Sequence, residues 1–295
     1  MSETHSEIST GVYTSAKKNG EIYYRSSVTY SNKHISLGSF HTYELAHAAY
    51  ILSKKILEST LTIQEYPQDS PLSFHKWVVL INFRDNGIYI KNPIYVLPKY
   101  FVYYMSPDEE YYFDTDDLFY YSNHKILKKS GYLFVNDYGM QVNILSRYGI
   151  KNFAVVGRDY IFANGNPNDF RYGNIKVINP YYGVMMEVKN GRTSYKAQIH
   201  INGNYMIGRY KTIEEAAIAY NKAIDILSQK GFQKNFTKNY IESYTKIEYA
   251  REYSKIRISK KISELQFKIL LLNHSPLFCS SPIICKPKYP ECQTS

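Results

Sequence analysis

Two short stretches of this chain carry polar side chains at every second position, the spacing that puts them on one side of an extended strand. In one, Lys196, Gln198 and His200 alternate with Ala197, Ile199 and Ile201; in the other, Arg25, Ser27 and Thr29 alternate with Ser26, Val28 and Tyr30. Amides and imidazoles offer paired donors and acceptors to the edge of a flat heterocycle, hydroxyls offer single ones, and Lys and Arg neutralise anions. Neither stretch carries a carboxylate, so the chemistry they share is recognition of a polar, anionic ligand. Groupings that could do covalent or metal chemistry are thin. Cys279, Cys285 and Cys292 all stand near the C-terminus among prolines, odd in number and with no histidine between them. That pattern fits neither a zinc ribbon nor a disulfide framework.

The elements that must position these side chains occur twice. Residues 11–57 read GVYTSAKKNGEIYYRSSVTYSNKHISLGSFHTYELAHAAYILSKKIL, and residues 183–227 read GVMMEVKNGRTSYKAQIHINGNYMIGRYKTIEEAAIAYNKAIDIL. Each copy opens on Gly-Val, turns into an alternating strand and turns again. It then reaches Leu37-Gly38 or Ile207-Gly208 and passes through Phe40-x-Thr42 or Tyr210-x-Thr212 into an Ala-rich stretch. In the second copy Asn202-Gly203 is a hairpin signal, and Thr212 with Glu215 reads as a capping box. Ala216, Ala217, Tyr220, Ala223, Ile224 and Leu227 then recur at helical spacing up to Gly231. The first copy follows with Thr42, Ala46, Ala49, Tyr50 and Ile56, and its turn Ser31-Asn32-Lys33 is one residue longer. The expectation is a three-stranded antiparallel sheet with a helix on one face and the other face open.

Charge agrees with an anionic partner. The 295 residues, enough for two or three domains, hold 36 Lys+Arg against 26 Asp+Glu, a formal net charge of +10. Tyrosine is the compositional oddity at 32 residues; it suits small sheet domains as well as it suits stacking on bases, so it decides nothing alone. The N-terminal MSETHSEIST has no charged-then-apolar signal region, and apolar runs such as ILLL at 269–272 are too short for a bilayer. No membrane partner is expected, and the expected compartment is the cytoplasm, or the nucleus in a nucleated source.

The order G-V, alternating strand, hairpin, L/I-G-x-F/Y-x-T, then an Ala-rich helix entry resembles the Apetala-two/ethylene-response-factor DNA-binding domain, over residues 11–57 and again over 183–227. The resemblance implies double-stranded DNA, read from its major groove, as the partner and no cofactor. In that family the duplex lies along the sheet. Carried over by position, the implied base-reading residues are Tyr13, Ser15, Ser27, Thr29, His34 and Ser36, with Met185, Glu187, Gln198, His200, Asn204 and Met206 in the second copy. Lys17, Lys18, Arg25, Lys33, Lys189, Arg192, Lys196 and Arg209 are placed for phosphates. Almost none of the reading positions keeps the Arg or Trp of the plant domains, so a target sequence does not carry over. Gln198 and Asn204 suit adenine, and methionine suits a thymine methyl.

Between the copies, VVGRDYIFANGNPNDFRYGNIKVIN resembles the HNH homing-endonuclease pattern, a nuclease often joined to this kind of DNA-reading module. Ser146 and Tyr160 stand where the resemblance calls for histidines, and only Asn174 and the turn Asn164-Gly165-Asn166 remain. Without a base or metal ligands the expectation is a degenerate domain, no metal and no catalysis, with Asp159 and Asp169 as turn residues. The acidic stretch holding Asp108, Glu109, Glu110, Asp114, Asp116 and Asp117 is expected to be a solvated loop facing away from DNA.

The expected class is α+β: two small modules, each a three-stranded antiparallel sheet on one helix, flanking an HNH-like α+β domain, with C-terminal helices. The expected division is a disordered N-terminus at 1–10, a first module at 11–66 and a middle domain at 75–177. A second module at 181–239, a helical segment at 240–274 and a flexible tail at 275–295 complete it. In the helical segment Tyr249, Tyr253 and Ile256 form an apolar stripe suited to packing on the second module. The oligomeric state is left open. Two other functions stay on the table: a metal-dependent HNH homing endonuclease, and an interaction protein whose sheet faces bind protein.

Overall fold

The structure, a computed structural model, describes residues 11–152, 154–232 and 234–265. The expected flexible ends at 1–10 and 275–295, and with the latter the three cysteines, lie outside the described residues. The chain adopts an α+β fold built from small three-stranded antiparallel sheets and a few helices. Among the described residues no helix is long and apolar enough to cross a membrane.

The first repeat forms β1 (Val12–Ala16), β2 (Ile22–Tyr30) and β3 (Lys33–Phe40), an antiparallel sheet in that order, and then α1 (Tyr43–Glu58). Alternation along β2 sends Val28 and Tyr30 toward α1 and Arg25, Ser27 and Thr29 to the other side. Between Ser26 and Ser27 the register to β3 slips by one: Ser26 faces Gly38, Ser27 faces Ser36, and Leu37 is bulged into the core. The slip changes the phase of β3, so that Ile35, Leu37 and then Phe40 all pack inward. That is the physical content of Leu-Gly-x-Phe. Gly11, at φ +107°, has a comparable role: a Cβ there would stand 2.4 Å from the Tyr50 ring. The Gly-Val opening and the Ala-Tyr of the helix are therefore one contact.

The repeat does not end in a free helix. After a 3-10 turn at Ile63–Glu65 comes α2 (Phe74–Asn86), capped by Ser73 and closed by Gly87. It carries Trp77, Val78, Leu80, Ile81 and Phe83 into the same core as Val28, Ile35 and Ile56. The Arg84 guanidinium seals the joint by donating to the Ile56 and Leu61 carbonyls at 3.0 and 2.9 Å. Next come β4 (Ile94–Val96), β5 (Tyr100–Ser106) and β6 (Glu109–Asp114), a second antiparallel sheet. Val102 and Tyr104 of β5 reach the first core, while Phe101 and Tyr103 on its other face enter a second one.

That second core is closed by α3 (Leu118–Asn123), by the sheet β7 (Ile126–Lys129), β8 (Tyr132–Asp137) and β9 (Met140–Asn143), and by the ribbon β10 (Tyr160–Phe162) with β11 (Ile175–Val177). Tyrosines fill much of it; Tyr103, Tyr111, Tyr121 and Tyr160 are all buried. The acidic stretch expected to be a loop is instead strand β6 and a 3-10 turn. Alternation there buries Tyr111 and Phe113, and Asp117 is itself buried, accepting from Arg147.

The second repeat forms β12 (Val184–Lys189), β13 (Arg192–His200), β14 (Asn204–Tyr210) and α4 (Ile213–Gln229). The register slip recurs at the equivalent place, between Ala197 and Gln198, with Ile207 bulged inward. So does the glycine contact: a Cβ on Gly183, at φ +69°, would lie 2.3 Å from the Tyr220 ring. The Thr212–Glu215 capping box is present in both directions. The extra residue of the first copy goes into one more strand pair, Tyr30 with Lys33, closed by Ser31 and Asn32 at positive φ, whereas residues 201–203 form a longer loop.

Unlike α1, helix α4 is buried on nearly every side. Its far face meets the C-terminal segment, α5 (Lys246–Lys255) and α6 (Lys260–Ser263), with Ile241, Ile256 and Ile262 in the shared core. Asn221 donates to the Asn239 carbonyl at 2.8 Å and the Tyr249 hydroxyl at 3.0 Å, and the Tyr253 hydroxyl donates to Asp225 at 3.0 Å. The equivalent outer residues of α1, Ala48 and Ile51, are exposed.

Candidate nucleic-acid interface

Both sheets keep the face away from their helix uncovered. On the first, cross-strand pairing sets Tyr13 beside Arg25 and Ser39, Ser27 beside Ser36, and Thr29 beside His34, with Ser15 next to Tyr13 along the same face of β1. Tyr13, Ser15, Arg25, Ser26, Ser27, His34 and Ser36 line one shallow concavity. Tyr13 is 54% exposed, and Arg25, Thr29, His34 and Ser36 are exposed as well. Ser27 lies at the floor, 7% exposed, and its hydroxyl has no hydrogen-bond partner. His34 Nδ1 stands 3.4 Å from the Thr29 hydroxyl. At the rim Lys17 is tied to Glu21 at 2.9 Å, and Lys33 lies over the Tyr89 ring at 5.1 Å.

On the second sheet the pairing sets Met185 beside Lys196 and Arg209, Gln198 beside Met206, His200 beside Asn204, and Lys189 beside Arg192. Here a carboxylate stands in the middle. Glu187 accepts from Arg209 at 2.9 Å and faces Lys196 at 3.8 Å. The Arg209 hydrogen bond, with both positive charges nearby, holds its carboxyl below the usual range despite some loss of hydration. The two cations expected to contact phosphate and the glutamate expected to read bases thus form one local network. His200 Nδ1 pairs with the Asn204 side-chain oxygen at 2.9 Å, a contact that does not use the Asn204 amide nitrogen. Gln198 is half-buried and Met206 is 44% exposed.

Some contributors escaped the sequence reading because they arrive from distant segments. Arg158 of the middle region lies against the Met185 sulfur at 3.5 Å, and Lys234 donates to the His200 and Ile201 carbonyls at 2.9 and 3.1 Å. Ser39 shares the Arg25 row but becomes visible only once the bulge is placed.

The residues of the HNH-like pattern have structural occupations. The Ser146 hydroxyl donates to the Asn143 carbonyl at 2.6 Å, and Tyr160 is core. Asn174 is buried, donating to the Asp169 carbonyl at 2.8 Å and accepting from the Asn164 amide at 2.7 Å. Asp159 stands in a turn, as expected, and Asp169 in an isolated bridge to Tyr112; both are also buried ion-pair centres. Asp159, 1% exposed, accepts from Lys151, Arg158, the Val155 amide and the Asn179 side chain at 2.7–2.9 Å. Burial alone would push its carboxyl up; these donors outweigh it and hold it below the ordinary value. Asp169 is held down in the same way, burial being outweighed by Arg171 and Asn164. Among the described residues no group of three or more His, Cys, Asp and Glu side chains could hold a metal ion. Set against protein-family models, curated proteins and solved structures, the chain gives no match.

Proposed function

We propose that the chain binds double-stranded DNA through the open faces of its two sheets and does no chemistry on it, as a transcriptional regulator or a mobile-element-derived DNA-binding protein of the cytoplasm or nucleus. The observation that carries this reading is the duplication: the same platform, with the same bulge and the same glycine contact, occurs twice, each with polar side chains reaching solvent on the face away from its helix. A twisted three-stranded sheet has the width and curvature to enter a major groove. The excess of cations over the whole chain supplies attraction at a distance, and linking two platforms raises the strength of the pair above either one.

The test is selection of bound sequences from a random duplex library by the full chain, followed by titration of salt. Binding that falls steeply with salt marks phosphate contacts; a flat response marks recognition of protein by the same faces and ends the proposal. Gln198→Ala with His200→Ala should weaken the selected site about tenfold or more, the loss of one to two paired base contacts, and leave non-specific binding in place. Plasmid nicking in Mg²⁺ or Mn²⁺ that Asn174→Ala abolishes would replace the reading with a nuclease.

A further inference from the structure

We propose that the open face of β1–β3 contains a socket for a single phosphate group, made by the Arg25 guanidinium, the hydroxyls of Ser15, Ser27 and Ser36, and the His34 imidazole. The inference rests on the DNA-binding reading and sharpens it: the occupant is one phosphate of the duplex backbone, so this face grips the strand while the second face meets base edges.

The chemistry of the lining favours an oxyanion. The serines Ser15, Ser26, Ser27 and Ser36, the Tyr13 phenol, a guanidinium and an imidazole surround one concavity, and no carboxylate is among the residues that line it. Hydroxyls donate to phosphate oxygens, and a guanidinium meets them with two parallel N–H groups. Among the described residues Arg25 has no ion-pair partner, so its charge is available. His34, which lines the concavity, meets Thr29 through Nδ1, a contact that does not use Nε2.

The floor supplies an independent sign. A buried hydroxyl without a partner is destabilising, and native structures keep few of them. Ser27 is such a group, on the open face. A phosphate oxygen reaching the floor as the exposed side chains around it turn aside would satisfy it.

The second repeat is a control on the same backbone. Where the first has Ser15, Ser27 and Ser36, the second has Glu187, Gln198 and Met206; where the first has Arg25, the second has Lys196, already facing Glu187. The larger side chains fill the space and the carboxylate repels an anion. The socket belongs to one repeat only.

The test uses the full chain and begins with inorganic phosphate at low ionic strength, followed by the His34 imidazole NMR signals. Phosphate should shift them and saturate, and Ser27→Ala should weaken that binding about tenfold, the loss of one hydrogen bond to a charged acceptor. The same variant should melt no lower than the parent, because it removes an unsatisfied group. Arg25→Gln should weaken phosphate at least as much. No shift at His34, or equal binding by parent and Ser27→Ala, overturns the socket whatever the chain does with DNA. The second arm replaces each phosphate of the selected duplex in turn by a neutral methylphosphonate. One position should cost the parent about tenfold and cost Ser27→Ala nothing more. Phosphate binding without such a position overturns the duplex backbone as occupant and points to a free or protein-borne phosphate group. A chain that binds no duplex at all ends the DNA reading, and the His34 titration then decides the socket alone.

Discussion

Where the first repeat has Ser15, Arg25 and Ser39 on its open face, the second has Glu187, Lys196 and Arg209, tied to one another. Underneath, the two are the same object: a bulge at the same register, a glycine against a helix tyrosine, a threonine cap. They also join their surroundings differently. The first shares an apolar core with α2 and β5. The second is held to the middle region by polar contacts around Asp159, which reaches Asn179, whose side chain donates in turn to the Val184 carbonyl at 2.7 Å. The lesson is that a duplicated backbone fixes where side chains stand, while a few substitutions on the free face decide whether charge is offered outward or consumed locally.

The likeness is tested most severely at the glycines. Gly183→Ala places a Cβ 2.3 Å from the Tyr220 ring and 2.5 Å from the Gln198 carbonyl, at a φ that disfavours any side chain. We expect a loss of ~3 kcal/mol or more, measured by denaturant unfolding, and a similar loss for Gly11→Ala. A mild effect at one site only would break the equivalence.

The contrast between the joints is tested at Asp159. Asp159→Ala leaves the Lys151 ammonium buried without its counter-charge, an effect of ~3 kcal/mol by thermal or denaturant unfolding. Acid should act at the same place. The folded carboxyl lies below its unfolded value, so the stabilisation is complete above the ordinary carboxylate range. It fades as pH drops below about 4 and through the lowered value. Melting followed by hydrogen exchange should show residues 178–184 opening in acid before α1–α2; the reverse order would refute the polar joint.

The contrast between the faces is tested by Glu187→Gln, which frees Lys196 and Arg209. Duplex binding should tighten about threefold to tenfold and its salt dependence steepen by roughly one to two counterions. Unchanged binding would mean that the second face does not meet phosphate even when its cations are released. The smallest effect is expected at Ser26, whose buried hydroxyl lacks a partner on the helix side of the first sheet. The second repeat has Ala197 there. Ser26→Ala should raise stability by up to ~1 kcal/mol, measured by denaturant unfolding.

Much of the frame was legible in the residues because it rests on local rules. The Thr212–Glu215 cap, the alternation of Lys196, Gln198 and His200, and the Gly-Val that opens each repeat are readable within a few residues of one another. What escaped depends on contacts between distant segments. A bulge shifts strand phase by one residue, so Ser39 could not be put on the open face from alternation alone. The network of Glu187 with Lys196 and Arg209 is hidden in the sequence because the two cations come from two other strands. The burial of Asp159 and Asp117 is not announced locally: Arg158 adjoins Asp159, but Lys151 and Asn179, and Arg147 for Asp117, come from farther along the chain.

The burial of α4 on nearly every side has a practical corollary for anyone cutting this gene into pieces. A fragment stopped at residue 239 would strip the cover from Ile218 and Asn221, which lie on the side of α4 that meets α5. Such a piece should aggregate or melt early, whereas one carried on to residue 265 keeps its own lid. The smallest portion of the second repeat that can be transplanted intact is therefore set by the length of that lid, not by the end of the likeness to the first.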